Sequence, residues 1–520
     1  MTTPRTSLSA LNGKRRQQDL QELEGADLDL IVIGGGITGV GIALDAVTRG
    51  LRVALLEKHD LGFGTSRWSS KLAHGGLRYL AKREFGIARD SATERGILME
   101  KTAPHLIKAL PQVTALGPDT NLTQKVAMRM GFLAGDGLRI LAGTSAATLP
   151  RSHYVSATKT VELCPQVRRE GLKGGWVNYD GQMVDDARLT CAVARTAASE
   201  GARILTRMNV TEASGDRVRA VDTLTGTEYD LAARAVINAT GVWAGGLDEG
   251  LSVRPSRGTH LVVDAERVGN PSGALTIPLP GSISRYLFIL PAPLGRCYIG
   301  LTDDAAPGPI PDVPETPEDD ITFLLDGVNR VLETPLTRDD VRGAFTGLRP
   351  LIDSTGSDRT ADLSRRHALL TAEDGLISIV GGKFTEYRLM AQETVDLVVK
   401  ERGLGAGPCV TARTPIIGSP AHRDYARVEQ RELDALPEGL VRRFGNEAPH
   451  VLASATVERA DEPLATIDVL RAEIEFAVTH EGALSVDDVL DRRTRIGLVA
   501  SDRDAAHAEI SEIFDHASNR

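Results

Sequence analysis

Cysteine is scarce in this chain. Cys164, Cys191, Cys297 and Cys409 are the four in 520 residues, they lie far apart, and none forms a C-x-x-C pair. That spacing supports neither a metal centre nor a disulfide framework and fits a reducing cytoplasm. Long apolar runs are also missing: no stretch approaches the roughly 18 consecutive apolar residues needed to cross a bilayer, so any membrane contact would be peripheral. The first 27 residues carry Lys14, Arg15 and Arg16 with no apolar core after them, which excludes a secretory signal. They read as a polar tail, or as a surface helix with Leu8, Leu11, Leu20 and Leu23 on one side. A net charge of −10 with no dense basic stripe argues against a nucleic-acid partner. There are no internal repeats. Lysine is rare as well, 11 against 49 arginines, so Lys71 and Lys383 gain weight by falling inside glycine-rich motifs.

What is present begins with Leu28 to Glu57. An apolar run (Leu28 to Ile33) enters a glycine cluster, a helical pattern follows from Ile37 to Thr48, and a second apolar run ends in Glu57. This is a βαβ unit in which Gly34, Gly36 and Gly39 satisfy G-x-G-x-x-G. The first glycine permits a sharp turn, the second a close approach to a pyrophosphate, and the third tight helix–strand packing. Glu57 is placed to accept a hydrogen bond from a ribose hydroxyl. A dinucleotide is expected, with FAD and NAD both open on this unit alone.

Further along, Gly64 to Leu80 (GTSRWSSKLAHGGLRYL) sets Thr65, Ser66, Ser69 and Ser70 beside Lys71, His74, Gly75, Gly76, Arg78 and Tyr79. Small hydroxyls and glycines at this density suit close backbone approach to a polar ligand, and Arg78 offers a fork to a phosphate. A helical pattern runs from Arg89 to about Leu110, and residues 112 to 175 read as mixed, turn-rich structure. Asp185 and Asp186 open a helix to about Glu200, either as capping acids or as more. Two strands of a meander (203–210 and 217–231) precede a strand ending in Asn238-Ala239-Thr240-Gly241, another close approach. From Pro255 an antiparallel sheet is expected, built from Arg257-Gly258-Thr259-His260, Tyr286 to Leu290 and Cys297 to Leu301, closed by Thr302, Asp303 and Asp304.

Gly381-Gly382-Lys383 reads as the first turn of a long helix reaching Arg402, whose N–H groups would face a flavin's pyrimidine edge and stabilise negative charge there. These repeated close approaches exceed what one NAD half-site requires and favour FAD. Arg78, Arg349, Arg365 and Lys383, with His260 and Tyr79, form a cationic set suited to a small anionic substrate. His260 has the pKa range to take a hydroxyl proton.

Together the motifs SSKLAHGGLRYL, DGQMVDDARL, INATG, RGTHLVV, GLTD, TGLRPL and GGKFTEYR, with DVLDRRTR near the end, resemble those of the FAD-dependent, quinone-linked glycerol-3-phosphate dehydrogenases over about residues 28 to 500. The resemblance implies an α/β fold: a Rossmann-like FAD-binding domain in discontinuous segments (28–110, 176–250 and 346–404), an antiparallel substrate or cap domain (111–175 and 251–345), and a helical C-terminal domain (405–520) behind the tail 1–27. It implies oxidation of sn-glycerol 3-phosphate to dihydroxyacetone phosphate, hydride passing to flavin N5 and electrons to a membrane quinone, at the inner face of the cell membrane. Non-covalent FAD would be held by Gly34, Gly36, Ile37, Thr38, Gly39, Glu57, Lys58, Thr65, Ser66, Ser69, Ser70, Lys71, Leu72, His74, Gly75, Gly76, Val210, Ala239, Thr240, Gly241, Gly381, Gly382, Lys383 and Thr385. His260, Arg349 and Lys383 would be catalytic; Arg78, Tyr79, Thr302 and Arg365 would bind substrate, with Arg78 and Arg365 on the phosphate. A homodimer stays open. The rival readings are an oxidase passing electrons to oxygen, an FAD-dependent amine or amino-acid oxidase, and a non-catalytic dinucleotide-binding protein.

Overall fold

The computed structural model describes residues 8–76, 79, 84–118, 122–279, 285–352, 367–465 and 467–519, with 122–124 described in backbone only. Arg78 and Arg365 lie outside the described residues.

Two sheets organise the chain. In the first, strands run in the order Ala368–Thr371, Ile377–Val380, Glu228–Asn238, Leu28–Ile33, Val53–Glu57 and Arg203–Thr206. Leu28–Ile33 is central and parallel to both neighbours, with Val32 opposite Ile237 on one side and Leu55 on the other. A central parallel strand is covered on both faces, which is why LDLIVI is buried at every position. Helices Ile37–Thr48, Asp186–Ser199 and Tyr387–Arg402 pack together against the sheet. The Glu228–Asn238 strand serves two partners: its first half pairs antiparallel with Arg217–Asp222 in the expected meander, and its second half joins the parallel sheet.

The second sheet runs Asp304–Ala305, Val253–Asp264, Arg296–Gly300, Tyr286–Ala292, Ala274–Pro278, Ile107–Ala115, Gly175–Met183 and Leu72–Ala73, with Val341–Ile352 on the other side of Val253–Asp264. It is mainly antiparallel, as the sequence suggested. Ile107–Ala115 and Val341–Ile352, which straddle boundaries drawn from sequence, and Gly175–Met183 and Leu72–Ala73, drawn mostly or wholly with the first domain, are strands of this second sheet. An apolar strand of either sheet carries the same local pattern, and only partner choice separates them.

Three local expectations are corrected. The helical reading from Arg89 to Leu110 ends early: the α-helix is Phe85–Ile97, followed by one wider turn to Thr102, and Pro104 precedes a strand. The mixed region hides a 20-residue helix, Leu122–Leu141. Finally, the described part of the N-terminal tail is neither loose nor lipid-facing. Helix Gly13–Gln21 lies against the first sheet, buried Arg16 donates to Asp222 Oδ1 at 2.8 Å, and Leu11, Leu20 and Leu23 are core residues.

The C-terminal helices include Arg471–Thr479 and Ala500–Ser518, packed on one another around their own apolar cluster. They attach to the first layer through buried ion pairs. Arg188 meets Glu481, Arg195 meets Glu447 in a two-pronged pair, and Arg492 and Arg493 both close on Asp60. Among the described residues no helix is long and apolar enough to cross a membrane.

Candidate active site

The glycine turn has the geometry its sequence implies. Gly34 sits at φ +110°, and a Cβ there would come within 2.6 Å of the Ala239 carbonyl oxygen. Gly36 caps helix Ile37–Thr48 in extended backbone. Its own Cβ would lie 3.1 Å from Ser66 Oγ, the atom that accepts from the Ile37 N–H. Gly39 is the tightest: a Cβ would stand 1.9 Å from the Gly34 carbonyl oxygen. The third glycine therefore packs helix on turn, whereas Gly34, Gly36, Ile37 and Thr38 line the adjoining cavity. Glu57 accepts from the Gly35 and His59 N–H groups at 2.6 and 2.7 Å. Burial pushes its carboxyl above the usual range despite those two donors.

The second motif is held from below by two of the three acids of DGQMVDDARL. Asp180 accepts from the Gly75 N–H at 2.9 Å and pairs with Arg95, whose guanidinium fills the space a Gly75 side chain would need. Asp185 caps the helix, accepting from the Arg188 N–H, and also pairs with Arg495 at 3.1 Å. Asp186 does more: it accepts from the Ser69 N–H at 2.9 Å and from Lys71 Nζ at 3.1 Å. Lys71 thus differs from the expectation of a side chain turned to the cofactor. It sits in left-handed backbone at φ 55°, and its ammonium donates to the Arg67 and Ser69 carbonyls, each at 3.0 Å. Burial brings its pKa down to about 8, with Asp186 opposing. An amine with three internal acceptors is satisfied where it is, so it braces the serine loop from behind.

Ser70 links that loop to the second sheet, its Oγ lying 2.9 Å from His260 Nε2. His260 is 1 % exposed and stacks on Phe345 with ring centroids 4.7 Å apart. The strands place it: His260 is opposite Gly300 on one side and Phe345 on the other, and a side chain at 300 would strike the imidazole at 2.3 Å. Burial first, then the charges of Lys71 and Arg349, hold its pKa well below the usual value. The ring is therefore neutral at physiological pH, and its buried Nδ1 has no hydrogen-bond partner among the described residues.

Arg349 crosses Gly258, where a Cβ would collide with its guanidinium at 2.1 Å. It donates to Asp303 Oδ1 at 3.2 Å and to the Thr302 carbonyl at 3.3 Å. Thr302 does not reach the cavity. Its hydroxyl donates to Asp320 and accepts from the Thr259 N–H, fixing the strand end that carries Leu301 and Asp303 into the cavity wall.

At the third glycine cluster, Gly381 and Gly382 occupy left-handed backbone at φ 84° and 83°. The expected long helix begins later than its sequence suggests. A single 3₁₀ turn, Phe384–Glu386, leads into Tyr387–Arg402, with Lys383 as the residue before the turn. Left-handed glycines cannot sit inside a right-handed helix, so they steer the chain into it. Lys383 Nζ donates to Ser91 Oγ and Glu386 Oε1, and lies 3.9 Å from the centroid of the Tyr79 ring. Thr385 Oγ1 accepts from the His74 N–H, joining the second and third motifs.

All of this surrounds one cavity of about 1670 Å³. The structure brings to it Glu57, Lys58, Thr65, Ser66, Ser69, Ser70, Leu72, His74, Gly76, Tyr79, Val210, the Ala239–Gly241 turn, His260, Arg349, Gly381, Gly382, Lys383 and Thr385. Gly39, Lys71, Gly75 and Thr302 stand behind its walls. Sequence reading missed Phe345, one of only ten phenylalanines, and the bracing acids Asp303 and Asp320, since each acts through a residue far away in the chain.

Glycines 34, 36 and 382 line the cavity at close-packed turns where a Cβ would crowd neighbouring atoms, beside two hydroxyl-lined turns and an acid at the strand end. That is a cradle for an extended dinucleotide carrying a ring system, and with the two-sheet fold it defines an FAD-dependent oxidoreductase. Residues 29–388 match the FAD dependent oxidoreductase family, and residues 409–519 match the C-terminal domain of alpha-glycerophosphate oxidase. Over 511 residues the chain is 58 % identical to glycerol-3-phosphate dehydrogenase 1 of Mycobacterium tuberculosis, covering 97 % of this chain and 98 % of that one. It is 35 % identical to the mitochondrial glycerol-3-phosphate dehydrogenase SDP6 of Arabidopsis thaliana, covering 94 % and 82 %. The crystal structure of the Bacillus halodurans glycerol-3-phosphate dehydrogenase complexed with FAD superposes with a TM-score of 0.74 at 29 % identity, covering 97 % and 94 %. The chain belongs to the FAD-dependent glycerol-3-phosphate dehydrogenase family, and its cofactor is FAD.

One consequence is directly measurable. Replacing Gly39 with alanine drives a methyl group into the Gly34 carbonyl, a backbone atom that cannot turn aside. The purified variant is expected to lose most of its flavin absorbance per mole of protein, whereas Gly86→Ala, where a Cβ meets nothing within 4 Å, is expected to keep it.

Proposed function

We propose that this protein oxidises sn-glycerol 3-phosphate to dihydroxyacetone phosphate and delivers the electrons to a membrane quinone, working peripherally at the inner face of the cell membrane. The observation that carries the reading is the neutral, buried His260 on the cavity wall beside the fixed cation Arg349. The names of the relatives support the substrate. FAD, when bound, supplies the two-electron acceptor for this oxidation. The chain supplies the rest: the imidazole takes the C2 hydroxyl proton, and the guanidinium, aimed by Asp303 and the Thr302 carbonyl, stabilises the developing alkoxide. Ser70 and Phe345 fix the imidazole ring. Lys383 and Tyr79, stacked on one another, form a polar wall for the substrate.

Arg78 and Arg365 are assigned to the phosphate by family motif. Each replaced by alanine is expected to raise KM for glycerol 3-phosphate at least about tenfold, the worth of a charge-assisted fork, with flavin content unchanged. The decisive experiment is an anaerobic absorbance scan of the purified protein: flavin bleached by glycerol 3-phosphate but not by NADH supports the reading, and bleaching by neither ends it. The match of residues 409–519 to the C-terminal domain of alpha-glycerophosphate oxidase favours oxygen as a second candidate acceptor. Stoichiometric peroxide under air would select it over the quinone.

A further inference from the structure

The second sheet turns one face toward the cavity, and strand pairing fixes which residues share it. His260 lies opposite Gly300, Gly300 opposite Phe288, and Phe288 opposite Thr276, in one row across the sheet. Ala274, on the same face as Thr276, pairs with Gln112, which in turn pairs with Asn178. Thr276, Gln112, Thr114 and Asn178 all line the cavity, and none belongs to a cofactor motif. Two of these side chains carry unmet hydrogen-bonding groups. Gln112 is 6 % exposed and Thr276 9 %, and neither Gln112 Nε2 nor Thr276 Oγ1 has a hydrogen-bond partner among the described residues. A buried amide or hydroxyl left unpaired costs free energy, and these two face a space in which a ligand can pair them.

Charge and distance select the ligand. The four side chains are uncharged, so they suit a neutral part rich in hydroxyls rather than a phosphate, and Met128 and Phe132 of helix Leu122–Leu141 wall the same cavity with apolar surface for its carbons. Adjacent strands lie about 4.8 Å apart, so Thr276, three strands from His260, stands roughly 14 Å from it. Glycerol 3-phosphate held at His260 by its C2 hydroxyl ends about 5 Å beyond C2 and cannot reach the patch. A second glycerol in phosphodiester linkage puts its outermost hydroxyl about 10 Å from C2, and a hydrogen bond at each end brings the span to about 15 Å. Arg285 also lines the cavity, immediately before strand Tyr286–Ala292, which lies between the strands of His260 and Thr276. A cation there suits the single charge of a diester.

We propose that this polar patch is a head-group subsite, and that the protein also oxidises glycerol phosphodiesters whose head group carries hydroxyls. The inference rests on the proposed oxidation at C2. The C2 hydroxyl gives its proton to His260, and the hydrogen on C2 leaves with two electrons to FAD. The product is the ketone of the same diester, with both ester bonds intact.

The flavin-loaded full chain is mixed anaerobically with glycerophosphoglycerol or with glycerol 3-phosphate, and the products are weighed by mass spectrometry. Both are expected to bleach the flavin, the diester yielding a product lighter than itself by two hydrogens and no free dihydroxyacetone phosphate. A Gln112→Leu/Thr276→Val variant should lose about tenfold or more in kcat/KM for the diester, while glycerol 3-phosphate stays within about twofold of the unsubstituted value. The single Thr276→Val, which keeps the shape of the side chain, should show the same split at smaller size. Absence of bleaching by the diester in protein that glycerol 3-phosphate bleaches overturns the inference. So does an equal loss on both substrates, which would make the patch a structural part of the common site. A variant that handles the diester normally but slows with a water-soluble quinone also overturns it and gives the patch to the electron acceptor. Bleaching by the diester alone would leave the subsite standing and overturn the proposed substrate, whereas bleaching by neither ends both.

Discussion

His260→Ala is expected to lower kcat/KM for glycerol 3-phosphate about a thousandfold, the usual worth of a positioned general base, with flavin content and fold retained. The imidazole is neutral before substrate arrives because burial and the charges of Lys71 and Arg349 disfavour its protonated form. A base with a depressed pKa stays competent down to that lowered value, so the wild-type rate should be nearly flat from pH 8 to 6 and fall only in more acidic buffer. His260→Gln keeps a polar group near Ser70 but cannot take the proton, and should be as slow as alanine. Stopped-flow flavin reduction is the measurement; a variant reduced at the wild-type rate would remove His260 from the chemistry. Exogenous imidazole restoring part of the alanine variant's rate would identify the missing group as the base itself.

Asp60→Asn is expected to be the most destabilising single change outside the cavity. Asp60 is buried between Arg492, 2.6 Å away, and Arg493, whose guanidinium spans both carboxylate oxygens at 2.8 and 2.9 Å. Burial alone would raise its pKa, but the two arginines outweigh burial and hold it at about 2. Replacing the carboxylate leaves buried Arg493 without its carboxylate partner, while Arg492 keeps Asp488, at a cost of about 3–5 kcal/mol for the broken buried pair. The loss should show as an early thermal transition in the C-terminal region, resolved from the flavin-binding layer. Proton linkage gives the direction with pH. Asp60 is depressed, so its contribution is complete above the unfolded value near 3.8 and is lost as pH falls toward 2. His105 and His480, brought down to about 3 chiefly by burial, add to the same trend from higher pH. The unfolded chain binds their protons below about 6.5 while the folded one does not, so stability should fall steadily from pH 6.5 to 3.

Much of the cofactor end was legible in the linear chain. The βαβ unit, the glycine turns and the candidate histidine each rest on residues whose conformational freedom or chemistry is local, so a pattern of a few residues announces them. Lys71 shows where that legibility stops. Its place in a glycine-rich motif suggested a ligand contact, and the motif does line the cavity, yet the amine itself points backward onto Asp186 and two carbonyls. Side-chain direction there is set by a residue 115 positions away. Thr302 is the same case, claimed by Asp320.

By itself, then, the sequence pointed to the segments where backbone comes close, because glycine is required there, and it offered His260 and Arg349 as candidates for the chemistry. The tertiary structure decided the rest. It chose the sheet for Ile107–Ala115, Gly175–Met183 and Val341–Ile352, and through Val341–Ile352 it set Phe345 under His260. It seated the N-terminal helix on the first layer and left the face of Leu122–Leu141 uncovered. These outcomes share one physical reason. An apolar face is a demand for a partner, and its pattern is the same whether a sheet or a helix meets it; only the packed chain shows which demands have been met from within.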